Sequence, residues 1–210
     1  MAKKYSILIL FYFFFSINLN AQRLSLGLTF ALDRVNQKFI SELPNPMPFS
    51  PRLSYSFGFK INLKILDYLE LQYEPSFIEK GSLNIDTQYD QKTVWKYGYF
   101  SNPLVFILKP IKKVGCEFGT ELSALLYSKR REFDGSITDL NGAKIFEFSG
   151  ILGINYYLLE NTSIFIRYSK SFTPIYNELI HGNPSGSFTY KIYNDYFTLG
   201  LRYNFLKIKL

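Results

Sequence analysis

Every second residue from Leu53 to Leu63 is apolar: Leu53, Tyr55, Phe57, Phe59, Ile61 and Leu63. Ser54, Ser56, Gly58, Lys60 and Asn62 lie between them. Successive side chains on a strand point to opposite faces, so this stretch is a strand with one apolar face. After a short break the pattern resumes as Leu69, Leu71 and Tyr73 against Glu70, Gln72 and Glu74. The same period recurs along the chain, and helical periodicity is scarce. It predicts eight strands, at about 23–33, 52–64, 68–79, 93–108, 114–128, 144–157, 162–172 and 193–205.

The connections between these strands alternate in length. The first, about 34–51, is long and carries the proline-rich "ELPNPMPFSP". "ILD" is short, about 81–92 is long, "PIKK" is short, "KRREFDGSITDLNGA" is long, "LLEN" is short, and about 173–192 is long. An antiparallel chain running up and down gathers alternate connections at opposite ends. All long loops therefore share one end and all tight turns the other, which is the asymmetry of outer-membrane barrels. The expected fold is all-β: an eight-stranded antiparallel up-and-down transmembrane β-barrel with short periplasmic turns and long extracellular loops.

The apolar face could instead point inward, as in a secreted soluble barrel that binds a small apolar ligand. Strand length favours the outward order. A tilted membrane strand needs about 9–11 residues, whereas soluble strands have a mode of about 5–6. The polar face also carries charges of both signs, Lys60, Lys64, Glu70, Glu74, Glu117, Glu121, Glu147, Arg167 and Arg202. Buried charges must be paired, which a closed lumen permits. Aromatics near strand ends, among them Tyr68, Tyr97, Tyr99, Tyr156, Tyr157, Tyr168, Phe172, Tyr196, Tyr203 and Phe205, fit interfacial girdles.

The N-terminus reads as an export signal. Lys3 and Lys4 precede the apolar "YSILILFYFFFSI", which ends at the polar "NLNAQ". That core is too short for a spanning helix of about 20 residues. Residues 1–21 are read as the signal peptide and 22–210 as the barrel domain, with 206–210 a short C-terminal extension. Removing Lys3 and Lys4 lowers the formal charge from +7 to +5. In an exported chain this excess speaks for surface fields rather than nucleic acid. The lone Cys116 excludes an internal disulfide and a Cys-rich metal site.

Several stretches resemble the PorT-type outer-membrane β-barrel proteins of the Bacteroidota, which share the small OmpA-like barrel plan. They are "DYLELQYEPSFIEKGS", "YGYFSNPLVFILKP", "CEFGTELSALLYS", "FEFSGILGINYYL", "IFIRYSKSFTPIYN" and "YFTLGLRYNF". The chain departs from the pattern after Phe205, where "LKIKL" breaks the alternation usual at a terminal aromatic. The resemblance implies a cell-outer-membrane location and insertion by the barrel-assembly machinery. In some relatives it implies a part in secretion or gliding.

No catalytic, cofactor-binding or metal-binding residue is assigned. His181 is the one histidine; with Glu178, Ser185 or Ser187 it has the ingredients of a lipid-modifying enzyme, but it falls in a loop. Glu70, Glu74, Glu121 and Glu147 would be acid/base candidates in a cleft. An eight-stranded barrel is only wide enough for side chains, so they are expected to form a plug of salt bridges with Lys60, Arg167 and Arg202. "KRRE" at 129–132 is a charged loop base able to meet lipopolysaccharide phosphates. The expected role is non-enzymatic, with lipid, lipopolysaccharide and an envelope or secretion-system protein as partners, met through the four long loops.

Overall fold

The computed structural model describes residues 23–41, 49–86, 91–182 and 186–209. The export signal expected over 1–21 lies outside these residues. In chain order the strands are β1 (Arg23–Ser41), β2 (Phe49–Ser50), β3 (Arg52–Leu66), β4 (Leu69–Tyr73), β5 (Ser76–Asp86) and β6 (Gln91–Ile111). They continue with β7 (Val114–Arg131), β8 (Ile137–Asp139), β9 (Phe146–Tyr157), β10 (Thr162–Ser171), β11 (Tyr176–Gly182) and β12 (Gly186–Ile208).

All pairings are antiparallel, and the ladder closes on itself because β1 pairs both β3 and β12. From β3 it passes through β4 and β5 to β6, then to β7, β9, β10 and back to β12. β4 and β5 are one crossing interrupted at Glu74–Pro75, since proline donates no ladder hydrogen bond. The Pro75 carbonyl accepts from the Phe59 amide at 3.0 Å, and the Glu74 amide donates to the Pro103 carbonyl at 3.0 Å. The wall therefore stays sealed across the break. Eight crossings result, as the alternation predicts.

The outward side is apolar and the inward side polar. Leu53 is 78% exposed and Phe59 62%, while Lys60 between Phe59 and Ile61 is 4% exposed. The outward set runs from Leu24 to Leu32 on β1, Leu53 to Leu63 on β3 and Phe197 to Phe205 on β12. These runs of nine to eleven residues match a bilayer crossing. Inside lie Glu70, Glu74, Glu117, Glu121, Glu147, Arg167 and Arg202, all buried. A soluble barrel holding an apolar ligand is excluded by this order, because its lining would have to be the face that here points out.

The elements run beyond the sequence expectation at the long-loop end. β1 continues to Ser41 and β12 begins at Gly186, and the two remain paired up to Ser41↔Tyr190. Most of 81–92, expected as loop, is β5 and β6 paired as far as Asp86↔Gln91. His181 is likewise not in a loop: β11 pairs with β12, with His181 opposite Ser187. At the other end Leu206, Lys207 and Ile208 continue the ladder against Leu26, Ser25 and Leu24, after a bulge between Leu26 and Gly27. That bulge accounts for the broken alternation after Phe205.

Candidate functional site

The interior is filled in layers. Nearest the tight turns, Glu70 accepts hydrogen bonds from Asn62 (3.1 Å) and Tyr157 (2.9 Å) and pairs with Lys109, which also lies over the Tyr157 ring. The next layer is a tetrad of Glu74, Glu117, Arg167 and Arg202. Arg202 Nε donates to Glu74 at 2.6 Å, and its Nη1 and Nη2 reach Glu117. Arg167 Nη2 lies 2.8 Å from Glu74 and 2.9 Å from Glu117. The Phe165 ring lies beneath the Arg202 guanidinium at 3.7 Å. Two cations and two carboxylates from β7, β10, β12 and the β4–β5 junction thus cancel. Bidentate arginine forks satisfy both carboxylates, which a buried ion pair requires.

Above the tetrad, Lys80 stands between Glu121 (2.7 Å) and Glu147 (2.8 Å), flanked by the Tyr99 and Tyr196 rings. Ser123 and Tyr196 donate to Glu121, and Asn194 donates to Glu147 at 2.6 Å. A hydrophobic cap then closes the long-loop end: Val35, Ile78, Tyr97, Tyr99, Ile175, Tyr176, Ile192 and Tyr196. The cavity beside Asp33, Glu74 and Thr198 is about 30 Å³, roughly one water's share.

The expected salt-bridge plug is present, with two corrections. Lys60 is buried but has no ion-pair partner among the described residues. Its expected place is taken by Lys80, one residue beyond the expected end of the third strand, because that strand continues to Asp86. Lys64 pairs at the mouth with the exposed Asp67 at 2.5 Å. The aromatic girdle also needs correction. Tyr97, Tyr99 and Tyr196 are buried in the lumen, Tyr157 reaches Glu70 and Tyr68 lies exposed in the β3–β4 turn at the mouth, whereas Tyr156, Phe172, Tyr203 and Phe205 do face outward.

Charges resume on the outer wall just above the apolar belt. Arg34 and Lys38 on β1, Lys170 on β10 and Lys191 on β12 are exposed. Asp195 lies beside them, opposite Lys170 and Asn36 in the ladders. Its carboxyl is raised by burial, against the opposing pull of Lys38, Lys170 and Arg34. Further around the wall, Glu79 joins Arg52 (3.1 Å), Lys96 (3.4 Å) and the Tyr127 hydroxyl (2.7 Å). Burial alone would raise Glu79; the Tyr127 hydrogen bond and the two cations outweigh it and hold it low. In "KRRE", Arg130 pairs with Glu132 at 2.5 Å, while Lys129 and Arg131 stay exposed. Among the described residues no group of three His, Cys, Asp or Glu side chains could hold a metal.

The neisserial surface protein A (NspA) superposes with a TM-score of 0.52 at 13% identity, over 85% of this chain and 97% of that one. The fold is that of an eight-stranded outer-membrane barrel. Ail of Yersinia pestis, solved with the heparin analogue sucrose octasulfate, aligns at TM-score 0.48 and 10% identity, over 87% of this chain and 99% of that one. OprG of Pseudomonas aeruginosa aligns at 0.48 and 12%, over 90% and 97%. No family model matches the sequence, and no curated protein matches it.

Proposed function

We propose that this chain is a non-enzymatic integral protein of the outer membrane, a PorT-type barrel of the Bacteroidota. It works through the surface its strands carry above the bilayer rather than through its lumen. The export signal over 1–21 is removed, the barrel-assembly machinery inserts the rest, and 22–210 forms the working domain. The observation that carries this reading is the pairing of a filled lumen with a rim of exposed cations directly above the apolar belt. Lipopolysaccharide phosphates lie at that height, and a lysine or arginine near an anionic membrane surface contributes about 1 kcal/mol. The paired strands above the rim offer backbone and side chains to a protein partner of the envelope, secretion or gliding apparatus.

Replacing Arg34, Lys38 and Lys170 together by alanine tests this. Binding of the purified barrel to lipopolysaccharide vesicles should weaken at least tenfold and lose much of its salt dependence, with binding to neutral phospholipid unchanged. Unaltered lipopolysaccharide binding would contradict the role given to the rim.

A further inference from the structure

The tight-turn end holds an open vestibule of about 760 Å³ whose lining is strongly basic. Three of its lysines are committed: Lys64 to Asp67, Lys109 to Glu70, and Lys207 to Glu160 at 4.0 Å. Arg23, Lys60, Lys112 and Lys113 also line it, and none has an ion-pair partner among the described residues. Asp67, Glu70 and Glu160, the carboxylates among the described lining residues, are the partners of those three lysines. Four positive charges are left facing one cavity.

Lys60 is the decisive member. It is 4% exposed, projects inward from β3 and lines the vestibule, and it donates no hydrogen bond to a described residue. An ammonium has three donors and no acceptor, and a buried charge without a partner is costly. The tetrad just above cannot take it, because Glu74 and Glu117 are shared by Arg167 and Arg202.

We infer that this vestibule is a binding site for a phosphate group carried on a small organic body, with Lys60 as its floor and Lys112 and Lys113 at its entrance. A dianion fits the charge left over, and lysines bind phosphate as point charges. The volume exceeds a bare ion and falls in the range of small-molecule sites, about 300–1,000 Å³. Leu158 and Leu159 give the entrance an apolar edge for the rest of the ligand. The phosphate comes from a soluble ester or from a lipid headgroup of the adjoining leaflet; the chemistry at Lys60 is the same.

Titration calorimetry on the full barrel in neutral detergent, with glycerol 3-phosphate, tests the soluble source. Nanodiscs with and without phosphatidylglycerol, followed by the thermal midpoint of the barrel, test the lipid source. Saturable binding in either arm, weakened at least tenfold by Lys60→Met and severalfold by Lys112→Ala with Lys113→Ala, is the expected result. The turn variant leaves the wall untouched and reads the site even if Lys60→Met folds poorly. Without phosphate, Lys60→Met should unfold no earlier than the parent chain, because it removes an unpaired buried charge. No binding in either arm, or binding indifferent to both variants, would overturn the inference. So would a Lys60→Met barrel that is weaker to the same extent with and without phosphate, since Lys60 would then only balance the luminal carboxylates.

Discussion

Arg202 joins four strands through one side chain, because its partners Glu74 and Glu117 are both shared with Arg167. Replacing Arg202 by methionine leaves a carboxylate excess in a sealed lumen. Breaking a buried pair costs about 3–5 kcal/mol, so the urea midpoint in detergent should fall accordingly. Pairing Arg202→Met with Glu117→Met restores neutrality, and the double variant should lose less than the sum of the single losses. Lys80→Met should destabilise to a similar extent, leaving Glu121 and Glu147 facing each other. At the rim, Glu79 is held below the usual carboxylate range, so its contribution has a defined pH window. It is fully present above the unfolded value of about 4.3 and is lost as pH falls through the lower folded value. Glu79→Gln should flatten stability against pH below about 4.3, and a profile that keeps its parent slope would remove Glu79 as the cause.

Strands are where the sequence is most and least informative. Period two reveals a face only where the two sides meet different media. Along Leu53–Leu63 lipid lies outside and ions inside, so both faces could be read from residue types alone. In β6 the contrast fails: Val105 and Ile107 point inward against Ile151, while Leu104 and Phe106 point outward. Tyr97 and Tyr99 keep the inward phase of Ser101, Val105 and Ile107, since the bulge opposite Gly98/Tyr99 adds its extra residue, Leu126, to β7; aromatic side chains on both faces hid which of them point inward. Lys80 was recoverable in principle, since Glu70, Gln72, Glu74, Ile78 and Lys80 keep one inward phase across Pro75. Above the belt the outward face turns polar at Arg34, Lys38 and Lys191, so along the ends of β1 and β12 the apolar side is no longer the outer one. Gly200 shows how one strand serves another. A Cβ there would lie 2.4 Å from the Phe165 ring and 2.8 Å from Ala31 Cβ. Gly200→Val should cost about 1–3 kcal/mol by overpacking, and adding Phe165→Leu should recover part of it in the same unfolding measurement.

Taken whole, the molecule is a core turned inside out, with ions paired in the centre and apolar side chains on the outer wall. Leu199, 56% exposed on β12, should tolerate phenylalanine and resist arginine. A lipid-facing arginine near midplane costs about 2–4 kcal/mol, read as a lowered unfolding midpoint in vesicles. The same arrangement explains why function was less legible than fold. The luminal carboxylates are held in ion pairs, and the rim proposed as the working surface lies where the alternation fades. Spin labels placed singly from Leu53 to Leu63, in a Cys116→Ser background and in lipid vesicles, measure the inversion itself. Labels at Leu53, Tyr55, Phe57, Phe59 and Ile61 should collide readily with dissolved oxygen and little with a water-soluble nickel chelate. Those at Ser54 and Ser56 should be shielded from both. Nickel access at the odd positions, or a loss of the two-residue alternation, would contradict a barrel with its apolar face in lipid.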